Sequence, residues 1–144
     1  MAMPKFNLSL LGAPLLELEG VPVHVDTRKA IALLAYLAIT RQPHSRDTLA
    51  ALLWPEYSQT NARAALRRTI SALHRSLGKP LLESKQELLY LPDSSGLWVD
   101  AWEFYHCLAE CETHRHPASQ VCPHCLPWLD KAAGLYRDTF MAGF

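Results

Sequence analysis

The sequence predicts an α+β fold, in which a small antiparallel sheet is followed by three helices, a β-hairpin and a helical extension. Three observations support this prediction. Short apolar runs separated by Gly and Pro open the chain, a long amphipathic segment occupies residues 61–78, and a second pair of short apolar runs follows that segment. With 144 residues, of which 49% are hydrophobic, the chain can bury one core.

Three strands are predicted at the start of the chain. The runs 6–11, 15–19 and 21–25 are rich in apolar and β-branched residues, and turn-forming Gly and Pro separate the first two. Their short spacing indicates antiparallel pairing.

The first helix is predicted to begin at Thr27. Apolar residues then keep helical spacing as far as Arg41, and Pro43 stops the helix. Arg28 and Lys29 lie in its first turn, where cations oppose the helix dipole. We therefore expect this pair to serve another purpose, such as contact with phosphate.

Two further helices follow. Ser45 is a favourable N-cap for a short helix over residues 46–54. Thr60 or Asn61 is expected to cap the next helix, and Gly78 to end it. Three helices, the last of them reached through a short turn, form the helix-turn-helix pattern, in which the later helix enters a DNA groove.

This third helix has an apolar side and a basic side. The apolar side chains recur with the 3.6-residue helical period at Ala62, Leu66, Thr69, Ile70, Leu73 and Leu77. Small, polar and cationic side chains occupy the opposite face and its flanks at Asn61, Ala64, Arg67, Arg68, Ser71, His74 and Arg75.

Carboxylates are missing from this part of the sequence. Residues 57–82 contain no Asp or Glu, although the chain as a whole has 14 Lys and Arg against 14 Asp and Glu. Arginine matches phosphate oxygens and guanine edges, and small residues let the helix approach a surface closely. The segment therefore predicts a recognition helix in a DNA major groove. A basic helix that faces water or an acidic protein is the alternative.

A hairpin is predicted after the third helix. The apolar runs 81–83 and 88–91 are joined by a polar tip at 84–87. Its position makes the domain a winged helix, and Lys85 is the candidate for contact with the DNA backbone. Two carboxylates, Glu83 and Glu87, flank that lysine and argue against a strong contact.

Several segments resemble the winged-helix DNA-binding domain of the Streptomyces antibiotic regulatory protein family. They read FNLSLLG, AIALLAYLAI after Arg28-Lys29, SRDTLAALLWPE and NARAALRRTISALHRSLG. Residues 99–104 and 135–144 are similar to segments of the bacterial transcriptional activation domain that follows in this family. The resemblance implies a DNA-binding domain at residues 1–99 and the helical start of an activation domain at residues 100–144.

The resemblance also implies a function. It predicts a sequence-specific DNA-binding transcriptional regulator that binds direct repeats as tandem protomers and activates transcription by contacting RNA polymerase. The implied groove-facing residues are Asn61, Ala64, Arg67, Arg68, Ser71 and Arg75, with His74 as a weaker candidate. Arg63, at the edge of the apolar stripe, is expected to pair with phosphate or to extend its charge into solvent.

Two expectations concern the whole protein. The family's repeat array needs several units to bury its faces, so the chain is expected to be a fragment of a longer regulator. The alternative function is a protein-interaction or scaffold module whose winged helix no longer binds DNA, an interpretation that the acidic wing tip favours.

The four cysteines lie close together in the sequence. Cys107 and Cys111 are spaced to share a helix face, and Cys122 and Cys125 form a C-x2-C knuckle. His116 lies between the two pairs. This pattern predicts a closed, four-coordinate structural zinc site with Cys122, Cys125 and Cys111 as ligands and with Cys107, His116 or His114 as the fourth. Buried thiols or disulfides remain the alternatives. The general family pattern does not include such a cluster.

Other classes of protein are not indicated. The sequence has no Gly-rich phosphate loop and neither a G-x-S-x-G nor an H-E-x-x-H motif, so we predict no enzymatic activity and no small-molecule substrate. No signal peptide and no membrane-spanning run is evident, which predicts a cytoplasmic protein.

Overall fold

The computed structural model describes residues 6–25, 27–113, 120 and 122–144, which form two sheets and five α-helices. The strands are β1 (Phe6–Ser9), β2 (Leu15–Leu18), β3 (Val21–Pro22), β4 (His44–Ser45), β5 (Glu83–Lys85), β6 (Leu88–Tyr90) and β7 (Leu97–Val99). The helices are α1 (Arg28–Thr40), α2 (Arg46–Leu53), α3 (Gln59–Leu77), α4 (Asp100–Glu112) and α5 (Leu126–Leu135). None of the described helices is long and apolar enough to cross a membrane.

The first sheet has the strand order β3-β2-β1-β7. The predicted antiparallel pairings of the first three strands are confirmed, although β3 ends at Pro22, before the predicted end at residue 25. Proline has no N–H to extend the ladder. The fourth strand, β7, was not predicted, and it pairs in parallel with β1.

Side-chain caps set the starts of the first three helices. Ser45 caps α2 as predicted, and Thr27, where the first helix was predicted to begin, is the N-cap of α1. The cap of α3 is Ser58, whose hydroxyl accepts the Asn61 N–H at 3.2 Å, so the prediction of a cap at Thr60 or Asn61 was wrong and the helix begins earlier. Gly78 ends the helix as predicted, with a φ of 74°.

The wing is a hairpin with a two-residue turn at Gln86 and Glu87, which have φ values of 54° and 66°. Positive φ at both positions is the signature of a type I′ turn, which matches the twist of paired strands. The turn is therefore tighter than the predicted four-residue tip. The short strand β4, also missed from the sequence, pairs with β6 and completes a three-stranded sheet beside α2.

One core joins the first sheet to the three helices. Its largest fully buried side chains are Phe6, Leu8, Leu10, Leu33, Leu34, Leu37, Leu49, Leu66, Leu73, Leu81, Leu89 and Val99. All six residues of the predicted apolar stripe on α3 are buried. That face therefore fixes which side of α3 points outward.

The helical extension packs directly against this core. Asp100, only 3% exposed, accepts the Leu10 N–H at 2.8 Å and the Leu11 N–H at 3.0 Å. The indole of Trp102 donates to the Ala38 carbonyl oxygen at 2.7 Å. These bonds attach the start of α4 to both the sheet and α1.

Candidate nucleic-acid interface

The outward side of α3 carries the predicted basic face. We call this surface the outer arc and define it as Asn61, Ala64, Arg67, Arg68, Ser71 and Arg75. Ala64 is half-buried, and the other five residues are exposed. Because the opposite stripe is buried in the core, the outer arc faces outward.

The three arginines of the outer arc have no partner among the described residues. Arg67, Arg68 and Arg75 make no ion pair, side-chain hydrogen bond or ring contact with any residue in the ranges given above. In particular, the acidic extension that begins at Asp100 does not cover them. Their guanidinium groups are therefore available to an external anion.

Arg63, on the same helix, is held differently. Its guanidinium pairs with Asp47 of α2 at 3.1 Å and with Glu87 of the wing turn at 2.6 Å. The side chain thus connects the helix, its predecessor and the wing. The phosphate contact predicted for Arg63 requires these ion pairs to open.

His74 does not face the groove as predicted. Its Nε2 accepts the Leu82 N–H at 3.1 Å, and partial burial lowers the pKa of the imidazole. The ring is neutral and lies against the chain that leaves α3, because the buried backbone of Leu82 needs an acceptor there.

The cations at the start of α1 also have intramolecular partners. The ammonium of Lys29 donates to the Leu53 carbonyl oxygen at the end of α2 and lies 5.9 Å from the centre of the Trp54 ring. The guanidinium of Arg28 lies over the Phe144 ring, 4.6 Å from its centre. These contacts explain why both cations tolerate an unfavourable position at the positive end of the helix dipole.

A groove of about 550 Å³ runs beside the outer arc. Its lining includes Trp54, Tyr57, Arg67, Arg68 and Arg75, and none of its described lining residues is acidic. The two aromatic residues were not predicted as part of the site. The available signal was Tyr57, an aromatic residue in a polar loop immediately before the basic helix.

The wing is less acidic toward solvent than its sequence indicates. Lys85 is exposed at the end of β5. Of the two carboxylates near it, Glu83 accepts a hydrogen bond from the Tyr90 hydroxyl at 2.9 Å, and Glu87 turns back to Arg63. The charge of Glu87 is therefore partly compensated by Arg63, whereas Glu83 is hydrogen-bonded to a neutral hydroxyl and keeps its charge.

The cysteines separate into one buried residue and a group of three. Cys107 has no exposed surface and packs where α4 meets α5. The sulfurs of Cys122 and Cys125 lie 3.3 Å apart, and the Cys111 thiol donates to the Cys125 carbonyl oxygen at 3.8 Å. All four are thiols, without a disulfide.

The surroundings of these thiols shift their ionisation in opposite directions. Burial, followed by hydrogen bonds with Cys122 and Cys111, raises the pKa of Cys125 to about 11. Burial also acts on Cys122, but hydrogen bonds from Cys125 and from the His124 backbone outweigh it and lower the pKa of that thiol. Burial raises the pKa of Cys107.

The predicted zinc site is not preformed. In the part of the chain that the structure describes, no group of three or more His, Cys, Asp or Glu side chains has an arrangement that could hold a metal ion. His116 and His114, two of the candidates for the fourth ligand, lie outside the described residues. Zinc binding therefore stays a prediction.

Comparison with known proteins identifies relatives of this fold. No protein-family model matches the sequence. Over 89 residues, the chain is 33% identical to the transcriptional regulatory protein EmbR of Mycobacterium bovis and of Mycobacterium tuberculosis. The match covers 61% of this chain and 23% of EmbR, so the matched segment spans less than a quarter of the length of these relatives.

A solved structure shares the fold over almost the whole chain. The structure of Mycobacterium tuberculosis EmbR in complex with a low affinity phosphopeptide superimposes with a TM-score of 0.71 at 24% sequence identity. It covers 95% of this chain and 37% of the EmbR chain. The sequence similarity to EmbR and the common fold confirm the predicted winged-helix fold, and they agree with the resemblance to the Streptomyces antibiotic regulatory protein type found in the motifs.

Proposed function

We propose that this chain is the DNA-binding part of a transcriptional regulator, with α3 as the recognition helix in the major groove. One observation supports this proposal above the others. Arg67, Arg68 and Arg75 project from one outer arc without an intramolecular partner in the described residues, whereas Arg63 on the same helix is paired. A row of uncompensated guanidinium groups favours a polyanionic partner.

The residues of the outer arc have different roles in this proposal. Arg67, Arg68 and Arg75 bind phosphate oxygens or guanine edges. Asn61 and Ser71 offer hydrogen bonds to base edges, and the small side chain of Ala64 allows close approach. Lys85 contacts the backbone from the wing.

Arg28, Lys29, Arg63 and His74 are assigned to support of the domain. Their intramolecular contacts shape the groove, the wing and the end of α3. Each was a candidate for direct contact in the sequence.

The finer proposal concerns the longer protein. We infer that residues 1–99 bind direct repeats of DNA as tandem protomers and that residues 100–144 begin an activation domain whose target is RNA polymerase. The resemblance of residues 99–104 and 135–144 to that domain supports this division. The similarity to EmbR, a transcriptional regulatory protein, supports the general role.

Duplex binding over a salt series tests the proposal. Fluorescence anisotropy with a mixed-sequence duplex measures the phosphate component, and selection from a random duplex pool supplies the specific sequence. The dissociation constant is expected to rise steeply with salt, because each phosphate contact releases a counterion. The triple variant with Ala at positions 67, 68 and 75 is expected to lose most of this binding.

A charge-matched control separates the arc from net charge. The triple variant with Ala in place of Arg41, Lys131 and Arg137 removes three cations elsewhere, and it is expected to retain most of the affinity. Absence of duplex binding by the wild-type protein at low salt, with a folded circular dichroism spectrum, would refute the assignment and favour the protein-interaction module.

A further inference from the structure

The helices α4 and α5 form a hairpin, which brings the end of α4 beside the start of α5. Lys131 pairs with Glu103 at 2.7 Å, and the His106 and Trp128 rings meet edge to face with their centres 5.6 Å apart. These contacts align the helices antiparallel. Cys111, near the end of α4, consequently lies beside the start of α5.

The contact between the two helix ends is made by cysteines. The Cys111 thiol donates to the Cys125 carbonyl oxygen, and the Cys125 thiol donates to the Cys111 carbonyl oxygen, both at 3.8 Å. Cys125 is buried and Cys111 is half-buried. Two thiols from separate segments are therefore already in contact.

A tight turn adds the third sulfur. The N–H groups of Cys125 and Leu126 both donate to the Cys122 carbonyl oxygen, at 3.0 and 3.3 Å. This turn sets the Cys122 and Cys125 sulfurs 3.3 Å apart, and the backbone of His124 also hydrogen-bonds to the Cys122 sulfur. A C-x2-C turn with backbone donors aimed at its first sulfur is how zinc knuckles stabilise thiolate ligands.

We propose that Cys111, Cys122 and Cys125 are the thiolate ligands of a structural zinc ion that joins the end of α4 to the start of α5. Cys125 contacts both other cysteines, Cys122 through the two sulfurs and Cys111 through thiol-to-carbonyl hydrogen bonds. Zinc binding turns the three sulfurs toward one point after loss of their protons. Cys107, fully buried beside the Lys131–Glu103 pair, stays a core residue and is not a ligand.

A role as simple core residues does not explain this group. Free cysteine acts as a small buried hydrophobe, which fits Cys107. Cys122 instead lies half-exposed at the surface, with its sulfur held by polar donors. Zinc gives that arrangement a function, because it connects two helices across a segment with few apolar residues.

Cobalt substitution on the full chain tests the site. Protein purified without added metal is analysed for zinc by mass spectrometry, stripped with a chelator and titrated with Co²⁺. We expect one zinc per chain and a thiolate-to-cobalt charge-transfer band with the intensity of three sulfurs, displaced by added zinc. The wild-type titration needs no variant to fold.

Variants assign the ligands. Cys111→Ser, Cys122→Ser and Cys125→Ser are each expected to weaken cobalt binding by more than about tenfold and to reduce the band, since loss of a ligand exceeds loss of a supporting hydrogen bond. Cys107→Ala is the matched control and is expected to retain the full band.

Two results would overturn the proposal. One is a folded wild-type protein that carries no zinc and gives no charge-transfer band. The other is a band that survives in Cys122→Ser but disappears in Cys107→Ala. A disulfide in metal-free purified protein, seen as a mass lower by two hydrogens and located at Cys122–Cys125 by peptide mapping, would also contradict it. DNA binding plays no part in these measurements, so the two proposals fail separately.

Discussion

Arg63 and Arg68 stand on the same helix, but they have opposite surroundings. Arg63 forms ion pairs with Asp47 of α2 and with Glu87 of the wing. Arg68 faces solvent and makes no ion pair with any described residue. Both residues are arginines, and both lie on the helix whose apolar face packs into the core.

The difference shows that a basic helix does not act as a single basic surface. One edge of α3, with Arg63 and His74, supports the rest of the domain, whereas the outer arc has no such task. Residues 57–82 contain no carboxylate of their own. Carboxylates from other segments of the sequence instead pair with Arg63 at one edge of the helix. Mutations can therefore test the supporting edge and the outer arc of α3 separately.

The largest expected effect is on the outer arc. Arg67→Ala, Arg68→Ala and Arg75→Ala are each expected to weaken specific duplex binding by about 1–3 kcal/mol if the arginine reads a base. An arginine that contacts only phosphate should instead lower the salt slope by about one. Anisotropy titrations measure both effects. Equal losses for Arg63→Ala and Arg68→Ala would remove the distinction between the two edges.

His74→Ala is expected to act on stability rather than on binding. The substitution leaves the buried Leu82 N–H without its acceptor, which costs about 1–3 kcal/mol in the free energy of unfolding. Urea denaturation measures this loss. Arg75→Ala, at the adjacent position, is the control and should stay within about 0.5 kcal/mol of the wild type.

The same histidine predicts a pH dependence. Its pKa in the folded protein lies below the ordinary histidine value of 6.5, so the unfolded chain takes up the proton first as the pH falls. The stability due to the neutral ring is complete above 6.5 and is lost from there down to the lowered pKa. The unfolding free energy of His74→Gln should therefore depend less steeply on pH across this window. Parallel pH profiles would contradict the neutral, accepting ring.

Arg63→Ala should have a smaller effect on the free energy than the substitutions of the outer arc or of His74. Its ion pairs are solvent-exposed, with side-chain exposures of 42% for Arg63 and 70% for Glu87, so they contribute about 0–1 kcal/mol to stability. Urea denaturation at low and high salt measures the contribution, which should shrink as salt screens it. A salt-independent loss would indicate packing instead.

Glu87→Gln gives the smallest expected change and the most direct test of the comparison. It frees Arg63 from one carboxylate and removes a negative charge from the wing, so duplex affinity should rise by less than about 1 kcal/mol. Glu110→Gln removes the same charge from the extension and should leave affinity unchanged. An equal rise in both variants would point to net charge alone.

Local sequence signals predicted the helices and their faces. The 3.6-residue period placed every member of the α3 stripe in the core, the start of α1 was correct to within one residue, and the cap of α2 was correct. The start of α3 was misplaced because Ser58, Thr60 and Asn61 are all suitable caps, and the exposed residues of its first turn add no apolar signal. The period of a helix is set by residues a few positions apart. The choice among equally suitable caps depends on contacts with the rest of the fold.

Tertiary contacts decided the rest. The sequence by itself determined the winged-helix fold, the buried and outward sides of α3 and the grouping of the cysteines, because period, capping and spacing act over a few residues. It did not determine the pairing of β1 with β7, the two N–H groups bound by Asp100, or the partners of Arg63. Each of these joins segments far apart in the chain, and their geometry is fixed only once the core has formed.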